Sequence, residues 1–420
     1  MVVGYFGGAP PASPVSHTIS PKIRSHPLMS TSVDVAAIYF PSWHPNDHYS
    51  AWHGHGFTEW DLIRSAEPLF PGHHQPKVPD WGYFDESDPE WSAKEIDLAA
   101  DHGVTAFLFD WYWYSGVRIM EEALEQGFLH ATNRGRLKFA LMWANHNWGT
   151  WPARTGRPGM ARQESDITPD FLPIRHDAAD LERVTEYCCE HYFGEPNYWR
   201  IEGHPVFSLF DTKKLAADLG GVDGVRRAFD LMRARAQKHG HDDIHFTANI
   251  GCTEGNVYCC GWDLVPQIRK MGFETVFAYN IVRTPEYQSL PKDRPLVSYD
   301  DVITSHQTCW ANIEEGGAHH MPVVTLGCDV TPRWHRGVTL PFEYEALSYE
   351  PIVVDNSPEK FGRLCRMALE RARSQNGGEP AIVINAWNEW SEGMFLLPER
   401  QYGTGHLEAL RDALAVEAER

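Results

Sequence analysis

The stretch AIVINAWNEWSEG, residues 381–393, passes from an apolar run into a knot of amides, indoles and carboxylates. Its start reads as a short buried strand. Its end places Glu389 and Glu392 three positions apart, with Asn385, Trp387 and Trp390 around them. Three readings fit such an ending: a catalytic acid/base pair, a metal site, or an exposed helix start. The rest of the chain decides between them.

Seven similar runs precede it. They are VAAIYF (35–40), VTAFLFDW (104–111), LKFALMWA (137–144), HPVFSLFD (204–211), IHFTANI (244–250), TVFAY (275–279) and PVVTLG (322–327). Amphipathic stretches lie between them, among them PEWSAKEIDLAADHG, which Gly103 can close, and SPEKFGRLCRMALERARSQNGG. Strands alternating with helices imply parallel βαβ units. Eight of them predict a (β/α)8 TIM barrel, a single α/β domain over 34–420 with extended βα loops. Its chemistry would sit at the C-terminal strand ends. An open doubly wound sheet is the alternative, but no Gly-rich phosphate loop follows the first strand. The strand ends carry Asp110, Asn145, Asp211, Asn249, Asn280, Asp329 and Asn385. Any one of these can cap a helix; seven together predict a polar cleft.

The 37 Lys and Arg against 57 Asp and Glu give a formal charge of −20, which argues against nucleic acid or an anionic membrane surface as partner. A neutral ligand suits that field. The chain holds 16 Trp, a surplus that suits the stacking of sugar C–H faces on indoles. Eight cysteines fall as two adjacent pairs and scattered singles, with no CxxC pair, so reduced thiols and a cytoplasmic location are expected. No apolar run reaches the roughly 18 residues of a membrane span. Residues 1–33, rich in Pro, Ser and Gly, read as a disordered tail without signal-peptide features, and Met29 within them is an alternative start.

The stretches YFPSWHP, GFTEWDLIRSAEPLFPGHHQPKVPDWGYFD, WANHNW, GCDVTPR and INAWNEWSEG, in this order, resemble the WbsX-like domain, a relative of glycoside hydrolase family 99, the endo-α-mannosidases. The likeness spans roughly residues 36–410. It implies a (β/α)8 fold and action on a carbohydrate, and some WbsX-like domains are labelled glycosyltransferases. The family's Glu-Trp-X-Glu pattern falls on Glu389, Trp390, Ser391 and Glu392. By resemblance Glu389 is the base towards a sugar 2-hydroxyl and Glu392 the acid for the leaving oxygen. Close carboxylates beside indoles should push their pKa values apart, leaving one protonated near neutral pH.

Around that pair, Glu59 and Asp110 are candidate hydroxyl ligands, and Trp60, Trp111, Tyr112 and Trp113 candidate platforms. Alternation along a strand sends every second ring into the core instead. Asn145, His146 and Trp148 follow the third strand; the WbsX-like pattern usually has Glu where His146 stands, so this position is expected to contribute to specificity. Asp329 and Arg333 either pair with each other or bind substrate. His44, His48, His53, His55, His73 and His74 make a metal conceivable, but no HExxH or comparable spacing appears; no metal and no cofactor are assigned. A glycoside hydrolase is the first expectation. A glycosyltransferase would need a nucleotide-sugar site, and the chain has no DxD motif. A non-catalytic carbohydrate-binding protein would have no need of Glu389 and Glu392.

Overall fold

The computed structural model describes residues 33–149, 171–250, 265–282, 296–333, 351–375 and 378–418. The expected tail lies outside them, Val33 apart, as do Cys252, Cys259 and Cys260. Eight strands form the centre: β1 Asp34–Tyr39, β2 Ala106–Tyr114, β3 Lys138–Trp143, β4 His204–Leu209, β5 His245–Asn249, β6 Thr275–Phe277, β7 Val323–Thr325 and β8 Ala381–Asn385. They are the eight runs read from the sequence. All neighbours pair in parallel, in the order β6-β5-β4-β3-β2-β1-β8-β7. A parallel bridge between Val276 and His320, just ahead of β7, joins the two ends of that order. The chain is a (β/α)8 barrel.

Local chemistry explains the helical layer. Helix Pro89–Asp101 starts with proline in its first turn, and the Asp88 side chain accepts from the Glu90 amide. It ends at Gly103, whose φ is +88° and where a Cβ would lie 2.4 Å from Leu414. Helix Pro358–Ser374 repeats the logic with Ser357 as cap. It buries Phe361, Leu364, Cys365, Ala368, Leu369 and Ala372 on one face. Each large apolar side chain removed from water in this way contributes about 1.5–3 kcal/mol.

Register sets which side chains face the barrel axis. Residues paired across parallel strands point to the same side, and β2 alternates strictly. Phe107 and Phe109 meet Phe128, while Trp111 and Trp113 stack at 5.5 Å and reach Tyr187 of helix Ala178–His191. The odd positions therefore face the helices, and Ala106, Leu108, Asp110 and Tyr112 face inward. Asp110 pairs with Met142, Met142 with Ser208, Ser208 with Thr247 and Thr247 with Thr275, a layer of inward side chains around the barrel. Thr325 pairs with Asn385 on the other side. The five described cysteines are buried. No described helix is long and apolar enough to cross a membrane.

Candidate active site

Past β8 the chain does not enter a helix. Asn388–Glu389 form a short strand paired antiparallel with Met394–Phe395, and Trp390–Glu392 make the 3-10 turn between them. Gly393 closes the turn at φ +73°, and a Cβ there would sit 2.8 Å from the Asp329 nitrogen. That close approach lets the Asp329 amide donate to the Glu392 carbonyl at 2.6 Å. On the other side the Asn388 side chain accepts from Phe40 N at 2.7 Å and donates to Phe40 O at 2.9 Å. The turn is thus held against the ends of β1 and the loop after β7. The exposed helix start is excluded, because Glu389 is 2% exposed.

Arg333 organises the carboxylates. Its Nη2 donates to Glu389 Oε1 at 2.8 Å and to Glu59 Oε2 at 3.1 Å, and its Nη1 donates to Glu392 Oε1. Ser391 donates to the same Glu59 oxygen. The guanidinium is 3% exposed and lies over the Phe40 ring. Burial works against its charge, but the three glutamates outweigh it and keep it firmly protonated. Glu389 Oε2 has no partner among the described residues. Burial first and the neighbouring Glu392 second push the Glu389 carboxyl well above the carboxylate range, with Arg333 opposing. Asp110 is displaced upward too, by burial and by Glu392. The Glu392 side chain is 21% exposed, so the pair opens to solvent on its side.

Other sequence-predicted residues take different places. Asp329 does not pair with Arg333. It accepts from His73 at 2.8 Å, Gln75 at 2.6 Å and Thr331, a knot that fixes the loop beneath Glu392. Trp111 and Trp113 face the helical layer, not the cleft, because they occupy the outward positions of β2. Trp387 is core as well: it packs on Phe107 and donates to Glu95. Trp60 and Trp390 lie buried 5.7 Å apart beneath the turn, with Trp390 stacked on Phe395. Glu59 is a clamp on Arg333 and Ser391 rather than an open hydroxyl ligand. Asn145 spends its amide on Asp211 N, Asp211 O and His176, tying the ends of β3 and β4 together. Asp211 caps the following helix.

Tyr112, His146 and Trp148 form an aromatic wall, with centroids 5.1 Å apart for Tyr112 and Trp148 and 5.4 Å for His146 and Trp148. The His146 Nδ1 donates to the Asn147 carbonyl, and burial lowers its pKa, so the neutral ring presents Nε2 as an acceptor. His44, read as a conceivable metal ligand, has both ring nitrogens on carboxylates, Glu86 at 2.8 Å and Glu122 at 3.0 Å. Burial lowers its pKa, but these partners raise it to about 10, and a protonated imidazole cannot ligate. Among the described residues no three His, Cys, Asp or Glu side chains converge as a metal site. Tyr49 was not singled out in the sequence, yet its buried phenol lies in the field of Glu59, Arg333 and Glu389; nothing in HPNDHYSAW distinguishes it beforehand.

The model of the family described as Glycosyltransferase WbsX matches residues 35–410. The chain belongs to the WbsX glycosyltransferase family. The chain is also similar to two curated relatives, both called uncharacterized protein WxcX, from two strains of Xanthomonas campestris pv. campestris. They are 28% identical over 390 residues and 27% over 387, in each case 90% of this chain. The alignments cover 49% of theirs, so the chain spans about half the length of these relatives. Among solved structures, the family 99 endo-α-mannosidase of Bacteroides thetaiotaomicron superposes with TM-score 0.55 at 14% identity, over 92% of this chain and 99% of the other. A glycoside hydrolase-like protein gives 0.53, also at 14%, over 93% and 97%. Both likenesses establish the fold.

Proposed function

We propose that this WbsX-family chain is a retaining glycoside hydrolase acting on a poly- or oligosaccharide, with Glu389 and Glu392 as its catalytic pair. The observation that carries the reading is one guanidinium touching both carboxylates at the C-terminal mouth of the barrel, while burial and the neighbouring Glu392 push the Glu389 carboxyl upward. Two adjacent carboxyls that share protons unequally are what acid/base cleavage of an acetal needs. Arg333 would also offset the negative charge that accumulates as the base works.

Glu389 draws the proton from the sugar 2-hydroxyl, whose oxygen displaces the leaving group, and Glu392 protonates that leaving oxygen. Water then opens the anhydro ring, and two inversions retain the anomeric configuration. Burial raises the Glu389 carboxyl, so any proton it holds must pass to Glu392 before reaction. A sugar oxygen that draws Arg333 away from Glu392 would favour that transfer, since a guanidinium beside a carboxylate favours its charged form.

The family's description favours a second reading, glycosyl transfer. The same pair would serve if a sugar hydroxyl replaced water as acceptor. A panel of glycans and aryl glycosides, assayed for released reducing ends with wild type beside Glu392→Gln, separates the two. Hydrolysis that the substitution abolishes supports the first reading. No hydrolysis anywhere, with transfer from an activated sugar donor, overturns it.

A further inference from the structure

Two inward-facing polar side chains beside the catalytic turn have no role in the scheme above. Asp110 lies on the inward row of β2 and is 6% exposed, and its Oδ1 meets no hydrogen-bonding partner among the described residues. Asn385 ends β8, is 0% exposed, and neither its Oδ1 nor its Nδ2 has a partner there. The register puts both on the axial face: β1 residue Ile38 pairs with Leu108, and its neighbour Ala37 pairs with Ile384. Stepping one residue along β8 and two along β2 then reaches Asn385 and Asp110 on the same side as Ile38.

An unpaired buried polar atom is costly, so proteins seldom keep one without a use. Neighbouring strand ends make the contrast. Asn145 and Asp329, equally buried, are saturated by protein partners. Nothing comparable was built for Asp110 and Asn385, although Asp110 lies in the field of Glu392 and Arg333 and acts in turn on Glu389 and Tyr112. A primary amide offers a donor and an acceptor side by side, which matches two adjacent hydroxyls of a ring. An apolar ligand would strand these atoms, and a neutral polyhydroxylated one would satisfy them.

We propose that Asp110 and Asn385 form the floor of the sugar position beneath Glu389 and Glu392, and that Asp110 is a specificity-determining contact to one hydroxyl of a neutral pyranose. This rests on the hydrolase reading and extends it to two further residues. A site built to hydrogen-bond a hydroxyl rejects the analogue that lacks it, whereas a merely structural residue does not discriminate between hydroxyls.

The test uses the full chain with methyl α- and β-hexopyranosides of the gluco, manno and galacto series and their monodeoxy derivatives, titrated by ligand-observed NMR. Wild type should favour one parent glycoside over one of its deoxy analogues about tenfold or more. Asp110→Asn should collapse that one ratio to within about threefold and leave the other ratios unchanged. Asn385→Ala should act on a different hydroxyl. Asp110→Asn should also melt no lower than wild type at neutral pH, since it replaces a buried carboxyl whose Oδ1 has no partner. Unchanged ratios in Asp110→Asn, or a uniform loss of affinity with a lower melting temperature, would overturn the assignment while the hydrolase reading stands. A wild type that binds none of the glycosides would overturn both.

Discussion

Replacing Arg333 by methionine keeps most of the apolar stem and removes the charge that Glu59, Glu389 and Glu392 share. All three contacts lie in a site where Arg333, Glu59 and Glu389 are buried. Breaking a buried ion pair by deleting one partner costs about 3–5 kcal/mol. The glutamates left without it would not cost a multiple of that, because they take up protons instead. The expected deficit for Arg333→Met is therefore about 3–5 kcal/mol near pH 7, a large share of an ordinary stability of roughly 5–15 kcal/mol. Its pH dependence has a definite sign. Without the guanidinium the folded carboxyls bind protons more tightly than the unfolded ones, whose pKa is about 4.3. Stability is then fully present below that value and is lost as pH rises through the folded value. Urea unfolding of wild type and variant near pH 7 and near pH 5 reads this directly. The deficit should be largest at the higher pH and shrink at the lower. A variant within about 1 kcal/mol of wild type near pH 7, or a deficit that does not change with pH, would refute the clamp.

Three further outcomes follow from the same geometry. The Glu95 carboxyl, pushed up to about 8 by burial and by Glu86, costs stability as pH climbs from the unfolded value towards 8. Glu95→Gln should thus gain on wild type near pH 8 and show no gain near pH 5, as read by thermal melts. His146→Ala should weaken glycan binding more than turnover, and the wild-type dissociation constant should be flat between pH 7 and 8 because the ring is already neutral; a collapse of turnover with binding intact would make His146 an acid or base. A substrate matched except for a missing 2-hydroxyl should bind without reacting, and its efficient cleavage would exclude participation by that oxygen.

All eight strands were legible because parallel barrel strands are short, apolar and punctuated, and because all but the first run on to an Asp or Asn. The turn carrying Glu389 and Glu392 was legible as a motif but not as a shape. Whether it opened a helix or a hairpin depended on Phe40 and Asp329, some 350 and 60 residues away. The aromatic residues show the limit most clearly. Tyr112 and Trp113 are adjacent and chemically alike, yet strand alternation sends one to the axis and the other to a helix that the sequence places 65 residues later. Arg333 was read as a possible partner of Asp329, four residues before it. Its actual partners lie on segments near residues 59 and 390, a convergence that only closure of the barrel creates.

The central claim, that Glu389 and Glu392 divide base and acid duties on a glycoside, is tested most directly by leaving-group dependence. Wild type, Glu389→Gln and Glu392→Gln are assayed on one glycan from the hydrolysis panel and on the aryl glycoside of the same sugar with an activated phenol. On the glycan both variants should lose about 10²–10⁴-fold in rate, the contribution of positioned acid/base catalysis. On the aryl glycoside Glu392→Gln should recover much of its rate, because a good leaving group needs little protonation, while Glu389→Gln should not. Recovery in Glu389→Gln instead, or near wild-type rates in either variant on the glycan, would contradict the assignment.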